Sequence, residues 1–229
     1  MRIGVSLVAI VCLTAGNPAA QVERTHVDIN APHETLLKGT YHSPGKAGPA
    51  ILLLHQCNMD RRAWDVLTGD LTSTGFHVLT FDLPGYGETK GGDFQVEFTN
   101  EAEAAYAFLL AQKGVDKNRI AVGGASCGAG LAGDLALRHS GIKALVLMSG
   151  DVSAAAQSNI AAKPSIAVFG IVAENDPEGP CGLKEGVRAS KNPRSTLKVY
   201  PGSEHGVPLF DVHSDLEPAL LTWLQMELR

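Results

Sequence analysis

Arg119-Ile120-Ala121-Val122-Gly123-Gly124-Ala125-Ser126-Cys127-Gly128-Ala129-Gly130-Leu131 decides how the rest of the chain is read. Arg119 to Gly123 is a short apolar run, as a strand buried on both faces should be. From Ser126 to His139 the composition turns to Ala, Gly and Leu and reads as a helix. Between them Gly124-Ala125-Ser126-Cys127-Gly128 has the spacing G-x-S-x-G, whose glycines permit a sharp turn without Cβ clashes. By itself the pattern is weak, since a chain with this much Gly and Ser can produce it by composition; its place between a strand and a helix is what raises it. Such a turn lifts the Ser126 hydroxyl above a sheet. It also points the N–H of Cys127 and the positive helix N-terminus at a developing oxyanion. The alternative is a Gly-rich turn with a helix-capping serine.

The alternation continues outward in both directions. Glu23 to Asn30 and Glu34 to His42 read as strands joined by a turn at Ala31-Pro32-His33. Ala50 to Leu54 is a continuous apolar run, hence a buried strand. Asp60 can cap a helix over Arg61 to Thr74, with Trp64, Leu67 and Leu71 at helical spacing and Gly75 ending it. His77 to Phe81 is a strand and Phe94 to Gln112 a helix. Ile142 to Met148, Ser165 to Val172 and Leu197 to Tyr200 are further strands, and a helix from Leu216 to Leu228 closes the chain. Strand and helix in turn predict an α/β fold with a mostly parallel central sheet and helices on both faces. Ligands of such sheets sit at the carboxyl ends of the strands.

Composition bounds the function. The chain has 229 residues, enough for one domain, and its 45% apolar and 19% charged residues suit a packed core. A net charge of −5 offers no basic field for phosphates, so nucleic acid is not an expected partner. Residues 1–20 read as a secretory signal peptide: Met1-Arg2, an apolar stretch from Ile3 to Ala15, then Asn17-Pro18-Ala19-Ala20. The apolar stretch is too short to cross a bilayer comfortably. The expected product is therefore a secreted or periplasmic domain over 21–229, with no stable membrane insertion. It keeps Cys57, Cys127 and Cys181, an odd count without the close pairing of a zinc site.

A serine hydroxyl needs an oriented base. His205, in Gly202-Ser203-Glu204-His205-Gly206, follows the last strand and so lies on the rim that carries Ser126. His26, His33, His42, His77, His139 and His213 fall at the wrong end, in the wrong order or near helix ends. The carboxylate should follow the strand Ser165 to Val172, where both Glu174 and Asp176 stand. Asp176 is preferred because Asn175-Asp176-Pro177 puts it in the exposed part of a turn. A second oxyanion donor is expected in His55-Gln56-Cys57-Asn58: the N–H of Cys57, with Gln56 behind it and His55 bracing the loop. Arg61 and Arg62 read as solvated helix charges, or else as contacts for an acidic substrate.

Together these pieces resemble the α/β-hydrolase superfamily over about residues 25–229. The order Ser126, Asp176, His205 is that family's order. Asp82-Leu83-Pro84-Gly85-Tyr86-Gly87 looks like its D-x-P-G-x-G turn, and Gly202 to Gly206 like its histidine loop. The short stretch between Met148 and Ser165, where a lid domain usually enters, makes the chain most similar to the lidless, dienelactone-hydrolase-like group. That group resembles this pattern with Cys as nucleophile, whereas Ser126 stands here, which favours a simple carboxylic ester. The oxyanion loop reads His55-Gln56 where many relatives have His-Gly. Cys57 and Cys127 would flank one oxyanion site, as free thiols or as a bridge.

The expected function is a serine hydrolase for small esters, using Ser126, His205 and Asp176 as catalytic triad and the N–H groups of Cys127 and Cys57 as oxyanion donors. No metal or organic cofactor is implied. A peptidase or acyltransferase could use the same triad, and a non-catalytic binding protein could use the same scaffold.

Overall fold

The computed structural model describes residues 22–91 and 98–229. The leader expected over 1–20, and positions 94–97 of the expected helix, lie outside the described residues. Eight strands form one sheet: β1 (Glu23–Ala31), β2 (Thr35–Ser43), β3 (Gly48–Leu54), β4 (His77–Phe81), β5 (Val115–Ala125), β6 (Ile142–Met148), β7 (Ala167–Ala173) and β8 (Thr196–Tyr200). Their order is β1-β2-β4-β3-β5-β6-β7-β8. The β1–β2 and β2–β4 pairs are antiparallel, and every pair from β4 to β8 is parallel. The helices are α1 (Asp65–Ser73), α2 (Thr99–Leu110), α3 (Cys127–Arg138), α4 (Ala154–Ala162), α5 (Cys181–Ala189), α6 (Leu209–Val212) and α7 (Leu216–Glu227).

The continuous apolar runs make sense because side chains alternate across a sheet buried on both sides. In β3, Leu52 and Leu54 pack beneath α2, α3, α4 and α5 with Ala105, Leu109, Ala132, Leu135 and Leu183. Ile51 and Leu53 point the other way, into a layer with Trp64, Leu67 and Leu71 near α1 and Leu220, Trp223 and Leu224 of α7. Ala121 and Val122 of β5 divide between the same two layers.

Several boundaries differ from the sequence reading. The helix expected over 61–74 is a 3₁₀ turn, Arg61–Trp64, followed by α1, with Asp60 capping the turn through the N–H of Arg62 at 2.9 Å. The strand expected over 119–123 runs from Val115 to Ala125. Helices α4, α5 and α6 were not expected. The first, AAAQSNIAA, has no amphipathic stripe to read and forms from alanine propensity plus a Ser153 cap on the N–H of Ala156. The second begins where Asp151, far away in sequence, accepts the N–H of Gly182 at 2.8 Å.

The parallel strands stop at a common level. Leu54 pairs with Gly124, Ala125 with Met148, and Ala173 with Tyr200. Hydrogen bonds carry this order past the strand ends: Ser126 N–H to the Met148 carbonyl (2.8 Å), Ser149 N–H to Ile171 (2.9 Å) and Glu174 N–H to Tyr200 (2.7 Å). The rim built this way is where the candidate residues lie.

Candidate active site

Ser126 occupies the junction of β5 and α3 with φ 51° and ψ −122°. A positive φ on a serine is strained backbone, which persists only where the surroundings hold it. Here they do. A Cβ on Gly124 would run into the Gly128 carbonyl, and one on Gly150 into the carbonyl of Ser126 itself. Gly128 lies equally close against the carbonyls of Leu54 and His55. The turn therefore needs small residues at 124, 128 and 150, and it presents Ser126 half-buried on the rim.

His205 follows β8, and its Nδ1 lies 2.9 Å from Oδ1 of Asp176. A carboxylate only accepts, so Nδ1 donates to Asp176, and in the neutral ring Nε2 is the nitrogen that carries the lone pair. That Nε2 is buried with no hydrogen-bond partner among the described residues, although a Glu178 carboxylate oxygen stands 3.4 Å away. Glu178 was not picked out in the sequence; it follows Asp176 by two residues, and its N–H donates to Asp176 Oδ1 at 3.0 Å. Asp176 rather than Glu174 faces the imidazole, and it does so from a buried position rather than from the exposed part of a turn. Asp176 is only 7% exposed, whereas Glu174 is exposed and uses its backbone on Tyr200.

The loop after β3 comes alongside. His55 is fully buried; its Nδ1 donates to the Gln56 carbonyl (2.8 Å) and its Nε2 accepts the Leu83 N–H (2.9 Å). Burial pushes its pKa down, so it braces the loop as a neutral ring. Gln56 reaches across the site: its Oε1 accepts the N–H of Val207, two residues past His205, at 2.9 Å. The sequence offers Gln56 as second choice to Cys57 for the donor and carries no sign of this link.

Cys57 and Cys127 are joined in a disulfide, with Cα atoms 5.9 Å apart. Cys181 is the free, exposed thiol among the described residues. Among the described residues no backbone hydrogen bond uses the N–H of Cys57 or of Cys127. Arg61 matches neither sequence reading. It is 5% exposed, paired with Asp82 and Glu88 and bonded to Thr40. Arg62 is exposed and pairs with Asp60, whose carboxyl is held down to about 2 by that guanidinium.

The comparisons with known proteins bear on the fold. The family model of the alpha/beta hydrolase fold matches residues 49–178. An uncharacterized protein of Mycobacterium tuberculosis is 38% identical over 108 residues, 47% of this chain and 38% of that protein. The lysophosphatidylserine lipase ABHD12 of Gallus gallus is 34% identical over 97 residues, 41% of this chain and 25% of that protein. The chain thus spans well under half the length of these curated relatives. Among solved structures, the Pyrococcus furiosus esterase Pf2001 superposes with a TM-score of 0.70 at 16% identity, covering 91% of this chain and 94% of its own. The dienelactone hydrolase-like promiscuous phosphotriesterase P91, from metagenomic libraries, gives 0.66 at 19% identity, with 91% and 99% covered. With more than half of its length matched by the family model and the parallel sheet ending in this rim, the chain belongs to the α/β-hydrolase fold family.

Proposed function

We propose that the protein is a serine hydrolase acting on small carboxylic esters through an acyl-enzyme. The observation that carries this is the strained Ser126 on the same rim as a His205–Asp176 pair whose Nε2 has no hydrogen-bond partner among the described residues. Ser126 Oγ attacks the ester carbonyl while His205 Nε2 takes its proton and then returns it to the leaving alcohol. Water repeats the sequence and releases the acid. Asp176 holds the tautomer and balances the imidazolium. The N–H groups of Cys57 and Cys127 receive the oxyanion.

The stretch from Ser149 to Ile166 holds only the nine-residue α4 and no lid domain, which favours small or extended soluble esters. Among the described residues no helix is long and apolar enough to cross a membrane. Export is part of the proposal: a disulfide persists in oxidising compartments, which fits the leader-like residues 1–20.

Hydrolysis of short p-nitrophenyl esters tests the reading. Ser126→Ala should lose on the order of a thousandfold or more in kcat, and Asp176→Asn about as much. Hydrolysis undiminished in Ser126→Ala would sink the serine mechanism. Inactivity of the wild-type protein on every chain length would move the scaffold toward an amide substrate or a binding role.

A further inference from the structure

We propose that the Cys57–Cys127 disulfide is a positioning element of the oxyanion site, holding the two donor N–H groups at a set separation beside Ser126. This rests on the serine-hydrolase reading above.

The bridge links the two residues whose amides are offered to the oxyanion, and they are 70 positions apart in sequence. Cys127 directly follows Ser126 and opens α3, so its amide is fixed by the elbow. Cys57 is placed differently. The Met59 N–H closes a turn onto the Gln56 carbonyl at 3.0 Å, with Cys57 and Asn58 at its exposed apex. His55 and Gln56 are anchored before that apex, to Leu83 and Val207. At the apex itself the Gln56 amide donates to Asn58 at 2.7 Å within the same loop, and the disulfide is the tie to Cys127 at the start of α3.

The bridge is not needed to bring these segments together. Strands β3 and β5 are paired from Ala50–Ile120 to Leu54–Gly124, and Gly128 lies against the carbonyls of Leu54 and His55. What remains for the covalent link is the last ångström at the apex. Oxyanion donors act at about 2.7–3.1 Å, and a misplacement of about 1 Å can cost on the order of a hundredfold in rate. The oxyanion forms only as the carbonyl becomes tetrahedral, so losing the donor geometry lowers kcat rather than weakening ground-state binding.

The experiment compares four samples: oxidised wild-type protein, the same protein reduced, Cys57→Ala/Cys127→Ala, and Ser126→Ala. Reduction uses dithiothreitol, whose two thiols become a cyclic disulfide while the bridge gains two electrons and two protons to give two thiols. Reductant is removed anaerobically before assay, because thiols cleave p-nitrophenyl esters themselves. Circular dichroism on each sample shows that it is folded, and the reduction arm decides alone if the double variant does not fold. The expected result is a fall in kcat of about ten- to a hundredfold on reduction, with KM little changed and recovery on reoxidation. The double variant, which keeps both amides, should match the reduced protein and ignore dithiothreitol. Affinity for a trifluoromethyl ketone, which forms a tetrahedral oxyanion adduct on serine, should weaken by a similar factor. A folded, reduced protein with unchanged kcat and ketone affinity overturns the proposal, as does a loss carried by KM alone. If Ser126→Ala is as active as wild type, the underlying reading fails and the inference with it. If Ser126→Ala is inactive and reduction has no effect, only the inference fails.

Discussion

Gln56 is the residue whose importance exceeds its signal. Its side chain is buried, spans from the loop after β3 to the backbone beyond His205, and also donates to Asn58 at 2.7 Å. Gly206 lies so close to the Gln56 amide that a Cβ there would collide with it, and its φ of +72° suits glycine. Replacing Gln56 with methionine keeps the volume but strands the Val207 N–H. A buried unsatisfied donor costs about 1–3 kcal/mol, so the urea midpoint should drop accordingly. Because the same bond sets the His205 loop against the donor loop, kcat should fall as well. A variant with wild-type stability would mean that Val207 finds another acceptor. In the sequence, Gln56 stands out only as a departure from His-Gly and as second choice for the donor N–H. One-dimensional patterns carry no information on a partner 151 positions away.

At the scale of elements, the buried ion pair beneath the Asp82–Gly87 turn ties the 3₁₀ turn to the end of β4. Arg61 contacts Asp82 through both its backbone N–H, at 2.8 Å, and its guanidinium, and Asp82 also accepts the Glu88 N–H. Asp82 is completely buried, so removing the arginine leaves an uncompensated charge. Arg61→Met should destabilise by about 3–5 kcal/mol, and adding Asp82→Asn should restore part of it, since the amide is no longer charged. Overlapping urea curves for wild type and Arg61→Met would refute this. The sequence marks the helical start after Asp60 and the Asp82–Gly87 turn, but by spacing alone Arg61 reads as solvent- or substrate-facing. Helical position says which way a side chain leaves the axis; only packing says that a second element meets it there.

For the whole molecule, pH reports how the sheet buries its histidines. Burial lowers the pKa of His42, His55 and His77 from the ordinary value near 6.5. Their imidazoles protonate more readily in the unfolded chain, so unfolding takes up protons. Their contribution to stability is complete above about pH 6.5 and is lost as pH falls through the lowered folded values. Glu217 and Glu227, raised by burial, act with the opposite sign: their contribution is present below about pH 4.5 and is lost as pH rises through their raised values. From pH 8 toward pH 5.5 the histidines therefore pull the urea midpoint down, against the two glutamates. The decline should be shallower in His77→Gln, which loses the ring held between the Tyr41 hydroxyl and the Lys46 carbonyl. Equal slopes for the two proteins would show that His77 titrates alike folded and unfolded.

The sequence by itself determined the layer order of the fold and the rim on which chemistry could sit. Apolar runs of strand length alternating with helical patterns admit one architecture, and a serine between glycines at a strand–helix junction marks the carboxyl end of the sheet. It also narrowed the carboxylate to two residues. The tertiary structure decided which of them meets His205, because burying Asp176 against that ring and leaving Glu174 outside depends on how the β7 and β8 ends meet. The same holds for the Cys57–Cys127 bridge, the Gln56 link and the buried Arg61. Each joins segments distant in sequence, and such contacts are set by strand register and by the close approach of glycines, distances that no local spacing encodes.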